Sequence, residues 1–360
     1  MEKISNKDQG TQDAYKTALN NLENFCMEKY GNIDYISKVK KFDTDSLFDF
    51  IQSWINWNNQ RSPSTTINMF SRIKKYLYHR GIKLHPQDIK EELEFRSRIE
   101  EELYPLSVDN IQSIVSNMRY KHKTQFICQS SSLMRIGEIV QLRKKHLILE
   151  GQNIIIKIPA TIAKFKKGRT TFFSKEASKL LRPMLRNLDD DDLIFGTNDN
   201  VKHSEINSEQ ILRRILEKSG LNMRYESNNR YMINTHSFRA FGITKISRHD
   251  PNFAKKIAGQ KGYLLQYDRM DDDEKLELYE KFEEDLIIDD TEKQKAIINQ
   301  LRDEKTEMND IKLEMMALRE LLEKKDPKKD IAYYTIIDSK AYKDYKKLIS
   351  RYESGELKDD

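Results

Sequence analysis

The chain has 360 residues, of which 34% are charged and 38% hydrophobic, and its mean hydropathy is −0.78. A chain of this length is longer than one hydrophobic core usually supports, which indicates two or three domains. No apolar run approaches the roughly 20 residues that span a bilayer, which argues against a membrane protein. The two cysteines, Cys26 and Cys128, lie far apart in apolar surroundings, a pattern that predicts buried thiols in a reducing compartment rather than a disulfide or a metal site. We therefore expect a cytoplasmic protein.

Charge is unevenly distributed, although the net charge of +5 and the isoelectric point near 8.8 are only mildly basic. Basic clusters can neutralise phosphates even when the whole chain is nearly balanced. Each cluster taken alone could equally be a solvated charged face. The basic clusters are Arg143–His146, Lys164–Arg169 and the pair Arg213 and Arg214, and acidic residues concentrate in Asp189–Asp192, Asp271–Glu274 and the last third.

The first hundred residues have the spacing of amphipathic helices. Apolar residues recur at helical intervals over residues 11–98, and Ser62–Thr66 supplies side chains that can cap a third helix. The pattern predicts a helical domain over residues 1–98.

A domain boundary is predicted next. The highly charged run Glu91–Glu102 leads to Pro105, which removes a backbone donor, and to Ser107, which can cap a new helix. We place a linker at residues 99–106.

The sequence pattern changes over residues 107–288. Helical patterns alternate with two strand-like runs, Asn153–Pro159 and Arg169–Phe173, joined by a polar basic turn. The expected fold is mainly α with a small antiparallel β-sheet, which makes this domain α+β in class.

Residues 289–326 carry a heptad repeat. Such a repeat is typical of a coiled coil that self-associates, and an amphipathic helix folded back on its own protein is the alternative. Pro327 ends the helix, and residues 327–360 form a C-terminal tail. One heptad position is occupied by Leu301, Met308, Met315 and Leu322, and the other by Ile297, Ile311 and Leu318.

Candidate residues for the metal-free cleavage of a phosphodiester occur one after another along the chain. That reaction needs cations on the non-bridging oxygens, a nucleophile, and a proton donor for the leaving 5′ oxygen. Arginine suits the first task because its planar guanidinium group can bind two phosphate oxygens at once. Arg135 follows an apolar helix and precedes Glu138 by three positions, so it could be a buried cation held by an acid or an ordinary salt bridge.

The other tasks have candidates further along the chain. Lys164 lies in the turn between the strand-like runs, where a lysine can enter a DNA groove and deliver a proton, or can simply be solvated. His236 and Arg239 are spaced to share one helix face and so to reach one phosphate. Tyr263 and Tyr267 follow a glycine-bounded turn, and either can serve as a nucleophile.

The order and spacing of these motifs resemble the tyrosine recombinase, or phage integrase, family, most strongly over residues 125–285. By this resemblance Arg135 is the first catalytic arginine and Glu138 its supporting acid. His236 and Arg239 correspond to the family's His-x-x-Arg motif.

Two further positions follow from the resemblance. Lys164 matches the family's hairpin lysine because it lies five residues before Arg169, and Lys166 is the second choice. The chain departs from the family at Gln260, which follows Gly259 where a histidine is usual. Glutamine can donate a hydrogen bond to phosphate, but it carries no charge and cannot shuttle a proton.

The nucleophile is assigned from a subgroup of the family. The segment from Gln260 to Arg269 and the heptads that follow the catalytic domain resemble archaeal integrases. In that pattern the nucleophile lies shortly before an arginine, which selects Tyr267 over Tyr263.

The resemblance implies a site-specific recombinase that needs no cofactor or metal. It would join DNA through a 3′-phosphotyrosyl intermediate, act as a tetramer on two double-stranded DNA sites, and integrate or excise viral or other mobile DNA. The helical domain would be the family's core-binding, SAM-like domain. The alternatives are a monomeric type IB topoisomerase-like enzyme and an integrase-derived protein that binds DNA without cleaving it, the latter suggested by Gln260. An oligomerisation scaffold leaves the ordered motifs unexplained.

Overall fold

The computed structural model describes residues 5–32, 35–260 and 269–289, together with a few isolated positions between 305 and 347. The chain divides into two compact units, residues 1–103 with 224–230 and residues 104–223 with 231–360. The predicted coiled coil and C-terminal tail fall almost entirely outside the described residues and stay predictions.

The described part of the first unit is helical, as predicted. Its helices begin where the sequence supplies caps: the Ser62 hydroxyl accepts a hydrogen bond from the Thr65 N–H at 3.3 Å, and Pro63 is the first residue of its helix. The helices are α1 Gln9–Tyr30, α2 Ile36–Val39, α3 Thr44–Trp57, α4 Pro63–His79 and α5 Pro86–Glu92.

A buried polar network fixes the register of α1 against α3. The Trp54 indole N–H donates to the Asn21 side-chain oxygen at 2.8 Å, and the Asn21 amide donates to Asn58 at 3.0 Å. All three side chains are almost fully buried. Because an unsatisfied buried amide is costly, these pairings favour one arrangement of the two helices.

The helical pattern predicted as far as residue 98 is wrong at its end, since α5 ends at Glu92. Beyond it the chain is extended over its own unit. The Gln52 side-chain amide exchanges two hydrogen bonds with the backbone of Glu94, at 2.9 and 3.2 Å, and the Phe95 ring packs on Phe70. A side chain thus replaces the hydrogen bonds that another helical turn would make.

The second unit combines helices with a small sheet, which confirms the predicted fold class. Its first helix begins at the predicted cap, where the Ser107 hydroxyl accepts a hydrogen bond from the Asn110 N–H at 3.1 Å. Its described elements are α6 Val108–Ser116, α7 Tyr120–Ser132, α8 Ile136–Ile139, β1 Leu147–Ile148, β2 Ile154–Ile158, β3 Arg169–Phe173, α9 Lys175–Leu185, α10 Val201–Lys218, α11 Thr235–Ser247, α12 Pro251–Ala258 and α13 Asp272–Phe282.

The sheet has the order β1-β2-β3 and is antiparallel throughout. The predicted pair β2 and β3 is present, with Ile154 opposite Phe173 and Ile158 opposite Arg169. Strand β1 was not predicted, because two residues are too few to show an alternating pattern. The register places Arg169 at the turn end of the hairpin, next to the basic turn.

Close packing holds α7 and α11 together. A Cβ atom added at Gly242 on α11 would lie 2.1 Å from the Ser130 carbonyl oxygen on α7 and 3.0 Å from a Leu133 methyl group. Tyr279 on α13 is completely buried and donates its hydroxyl hydrogen to the Ser131 carbonyl at 2.9 Å. The C-terminal end of α7 is therefore the common support of α11 and α13.

Two further expectations concern the cysteines and the membrane. Cys26 and Cys128 are both buried free thiols, as predicted. Among the described residues, no helix combines the length and apolarity that crossing a bilayer requires.

Replacing Gly242 with alanine should destabilise the second unit. The added methyl group would overlap backbone that cannot rotate away, and overpacking of this kind costs about 1–3 kcal/mol of unfolding free energy. Chemical denaturation of the two proteins measures the difference. Gly10→Ala is the control, because its Cβ would meet only the Asp8 carboxylate at an ordinary 3.5 Å. Equal stability of the Gly242→Ala variant and the parent would contradict the close packing.

Candidate active site

Helix α7 ends at its C-cap residue, Leu133, where the backbone changes direction and leads to the candidate site. The Leu133 φ of 57° is a left-handed conformation that costs a non-glycine residue about 1–3 kcal/mol. Burial of the whole Leu133 side chain offsets this cost, and its carbonyl oxygen accepts a hydrogen bond from Nη1 of Arg239. Arg135 then lies at the N-cap of the short helix α8.

Arg135 and Glu138 form the pair that the sequence predicts. The backbone N–H of Arg135 donates to Glu138 Oε2 at 3.0 Å, and its guanidinium Nη1 donates to Oε1 at 3.1 Å. The Glu138 side chain is only 2% exposed, whereas that of Arg135 is 22% exposed. The buried Glu138 thus holds Arg135 in place, while part of the Arg135 side chain remains accessible to a phosphate.

Arg169 is the second cation on Glu138. Its Nη1 and Nη2 atoms bind the two carboxylate oxygens at 3.2 and 2.6 Å, and its Nε donates to the Ile257 carbonyl at 2.9 Å. Burial alone raises the pKa of Glu138. The hydrogen bond and charge of Arg169, and then those of Arg135, outweigh burial and hold this pKa below its ordinary value.

The end of α12 is shaped to receive Arg169. Gly259 adopts a φ of 64°, with hydrogen bonds from Gly259 N–H to Lys256 and from Gln260 N–H to Lys255, the Schellman pattern. A Cβ atom at Gly259 would also lie 2.8 Å from the Arg169 Cδ atom. Glycine is therefore required here both by the backbone conformation and by the arginine that packs on it.

Helix α11 presents His236 and Arg239 together. The Asn234 side chain caps this helix by accepting the His236 N–H at 2.8 Å. Arg239 is 1% exposed, and its Nη2 donates to the Ala258 carbonyl at 2.8 Å. Burial, followed by the positive charge of Arg135, lowers the pKa of Arg239 to about 9.

The cluster carries surplus positive charge. Arg135 and Arg169 pair with Glu138, and Arg239 interacts electrostatically with all three, so three guanidinium groups have one carboxylate among them. The pKa of His236 is lowered, first by burial and then by the charges of Arg239, Arg135 and Lys164. Its ring is therefore neutral at neutral pH. An arriving phosphate would supply the missing negative charge to groups whose geometry suits its oxygens.

The turn between β2 and β3 distinguishes the two candidate lysines. Lys164 is exposed, and its charge acts on His236, which places it near the cluster. The Lys166 ammonium group instead binds back to the Thr161 carbonyl of the same turn at 3.0 Å. The geometry thus supports Lys164 as the lysine that can reach a substrate.

The candidate nucleophiles cannot be placed in this way. Tyr263 and Tyr267 lie within residues 261–268, outside the described part of the chain. Gln260 is described and exposed, directly after Gly259. The segment with both tyrosines therefore starts beside the residue on which Arg169 packs.

The basic run at residues 143–146 is not free to bind phosphate as its composition suggests. Arg143 pairs with Asp199 at 2.6 Å, Lys145 pairs with Asp191, and the Lys144 ammonium binds the Leu188 carbonyl at 2.6 Å. Arg143 and Lys145 are therefore paired with acids of the loop that contains the acidic cluster, and a carbonyl oxygen of the same loop orients Lys144. Elsewhere in the described residues, no group of three or more His, Cys, Asp or Glu side chains could hold a metal ion.

Comparison with known proteins decides the family. Residues 104–259 match the phage integrase family. Residues 104–259 belong to this family of tyrosine recombinases. The match confirms the predicted family and, with it, the predicted class of enzyme, a tyrosine site-specific recombinase. The archaeal subgroup stays a prediction.

Two solved structures of the Tn1549 integrase share the fold of this chain, with TM-scores above 0.5. The transposon Tn1549 integrase in complex with transposon right end DNA has 15% identity and a TM-score of 0.53, covering 77% of this chain and 95% of its own. The same integrase with a circular intermediate DNA has 14% identity, a TM-score of 0.52 and the same coverage. The XerH site-specific recombinase bound to difH has 18% identity, a TM-score of 0.47 and coverage of 74% and 77%. No curated protein matches the chain significantly in sequence.

The structural role of Arg169 in the integrase domain was missed by sequence reasoning, which used Arg169 only to locate the hairpin lysine. Its position at the start of β3, opposite Ile158, is a signal that its side chain leaves the sheet at the turn end. Its partners, Glu138 and the Ile257 carbonyl, lie on α8 and α12 and have no local sequence signature.

Breaking the Arg169–Glu138 pair should destabilise the integrase domain in a charge-dependent way. Arg169→Gln leaves a buried carboxylate under-compensated, for which a loss of about 3–5 kcal/mol is expected. Adding Glu138→Gln removes that charge and should restore part of the loss, so the two changes should be strongly non-additive in a double-mutant cycle of unfolding free energies. Lys167→Gln, an exposed site in the neighbouring turn, is the control. Additive effects would refute the coupling.

Proposed function

We propose that this protein is a site-specific DNA recombinase that cleaves and rejoins DNA through a 3′-phosphotyrosyl intermediate at the arginine cluster. The observation that carries the proposal is the surplus of two positive charges left by three guanidinium groups and one buried carboxylate. A site with this imbalance is built for a dianion-like partner, and a pentavalent phosphorane transition state gathers more negative charge on its oxygens than the ground state.

Arg135 and Arg239 bind the non-bridging oxygens of the scissile phosphate. Arg135 is partly exposed and Arg239 is fixed by two carbonyl oxygens, so one arginine can adjust while the other is rigid. Arg169 remains on Glu138 and keeps that acid from neutralising the whole cluster. Gln260 donates a further hydrogen bond to phosphate without adding charge.

Proton transfer is divided among three residues. Tyr267 attacks phosphorus, its phenolic proton passes to the neutral ring of His236, and the bond from phosphorus to the 5′ oxygen breaks. Lys164 gives its proton to that oxygen, which leaves as a hydroxyl group. A 5′ hydroxyl from the partner strand then attacks the phosphotyrosine and reverses each transfer, so the energy of the bond is conserved.

The proposal extends from the active site to the DNA partner and the assembly. Double-stranded DNA is the expected partner, and the similar Tn1549 integrase fold was solved with transposon right end DNA. We extend to this chain a homotetramer on two DNA sites, a DNA-binding role for the helical domain over residues 1–98, and self-association through the heptads over residues 289–326. We further propose that it integrates or excises mobile or viral DNA and that it is an integrase of the archaeal type.

A suicide substrate tests the chemistry. The attachment site is first selected from a random or flanking-genome DNA pool, and a nicked duplex of that site is incubated with the protein without metal. We expect a denaturation-resistant adduct that maps to Tyr267, since the nick lets the short product leave and blocks religation. Tyr267→Phe should abolish the adduct and leave DNA affinity within about twofold, and Tyr263→Phe is the matched control.

Two results would revise the proposal. An adduct that persists in Tyr267→Phe and is lost in Tyr263→Phe would move the nucleophile to Tyr263. Specific binding without any adduct would mean that the chain has lost cleavage, as the uncharged Gln260 could suggest, and would favour the DNA-binding alternative.

A further inference from the structure

An aromatic ring lies beside the candidate general acid. Phe165 directly follows Lys164 at the tip of the β2–β3 turn, and its ring centroid is 5.3 Å from the guanidinium carbon of Arg135. Almost half of Phe165 is exposed, at 49%. The ring is half-buried, and attraction between its face and the guanidinium cation contributes to holding it there.

The remaining hydrogen bonds described at this turn are local. Ile162 and Ala163 both donate backbone N–H groups to the Pro159 carbonyl, and Lys166 donates its N–H to Ala163 and its ammonium group to Thr161. These bonds shape the turn, and the buried Ala163 packs its base on the core of the unit, but neither joins the tip to the arginine cluster. The contact between Phe165 and Arg135 does, because it joins the tip to the start of α8.

We infer that Phe165 is a positioning residue that docks the turn on Arg135, so that Lys164 is held against the leaving 5′ oxygen. The inference rests on the proposed function, in which Lys164 donates that proton. A lysine side chain is long and flexible, so fixing the backbone that carries it narrows the region its ammonium group samples and raises the fraction of time that the group is in reach.

The contact is compatible with phosphate binding by Arg135. The ring interacts with the positive charge of the guanidinium group, and a single guanidinium N–H is described as bound to Glu138. Arginine carries five N–H donors in all, so others remain for a phosphate oxygen. Arg135 can thus bind the phosphate and contact the turn at the same time. This places Lys164, the proton donor, next to the phosphate whose leaving oxygen it protonates.

The test uses two versions of the selected suicide duplex, one normal and one with sulfur in place of the 5′ bridging oxygen at the scissile phosphate. A thiolate leaves without protonation because thiols are far more acidic than alcohols, with a pKa of about 8.5 in cysteine. Single-turnover rates of adduct formation are measured with the full-length protein. Phe165→Leu should cleave the normal duplex about tenfold more slowly and the sulfur duplex at nearly the parent rate, part of the roughly 10²–10⁴-fold that general acid catalysis supplies.

Matched variants separate positioning from folding. Phe165→Tyr and Phe165→Trp retain a ring and should cleave the normal duplex close to the parent rate. Tyr120→Leu removes another 49% exposed aromatic side chain from the far end of α7, about 20 Å away by helix length, and should leave both rates unchanged. Denaturation curves establish that the variants are equally folded.

The outcomes separate the inference from the function beneath it. A normal rate for Phe165→Leu on the normal duplex, or an equal loss on both duplexes, would overturn the positioning role and leave the recombinase chemistry intact. Lys164→Ala should lose cleavage of the normal duplex and regain it on the sulfur duplex. If Lys164→Ala cleaves the normal duplex like the parent, Lys164 is not the acid, and both the proposed role of Lys164 and the inference fail.

Discussion

The site depends on one buried carboxylate. Glu138 binds Arg135 on its own helix and Arg169 on β3, and Arg169 continues to the Ile257 carbonyl on α12. A charge with 2% exposure is strongly desolvated, and a buried ion pair of this kind often contributes little net stability compared with an apolar core. What it contributes is geometry, because both carboxylate oxygens are used and a different arrangement would leave a buried charge unpaired. Three segments far apart in sequence are thereby fixed around the place where a phosphate would bind.

Arg239 shows how the same site stays receptive to an anion. Its guanidinium group is anchored by the carbonyl oxygens of Leu133 and Ala258, and these oxygens orient it without cancelling its charge. The depressed pKa of Arg239 reflects burial and the repulsion of Arg135, which is a cost to the unliganded protein. The left-handed Leu133 and the close contact at Gly242 belong to the same arrangement, since both bring α7 against α11. The strained backbone and the surplus positive charge therefore occur at the same place. A phosphate bound there would relieve the repulsion between the arginines.

The sequence revealed the parts of this site that are local. His236 and Arg239 share a helix face by spacing alone, Arg135 and Glu138 are one helical turn apart, and the strands on each side of Lys164 have the right composition. It could not reveal partners that meet only in the folded chain. The bidentate contact of Arg169 with Glu138 joins different elements, and the basic run at residues 143–146 is paired with acids more than 40 residues away. The sequence shows how many charged residues there are, but only the fold shows which of them are paired with each other. Strand β1 and the end of α5 at Glu92 could not be predicted either. Both are determined by hydrogen bonds to residues of other elements.

The departure at Gln260 has a physical reading in this setting. Gln260 follows Gly259, on which the Arg169 side chain packs, so its backbone lies at the edge of a cluster with surplus positive charge. A histidine there would add a titratable cation to surroundings that already lower the pKa of both His236 and Arg239. Glutamine keeps a hydrogen-bond donor at this edge without adding to the surplus positive charge.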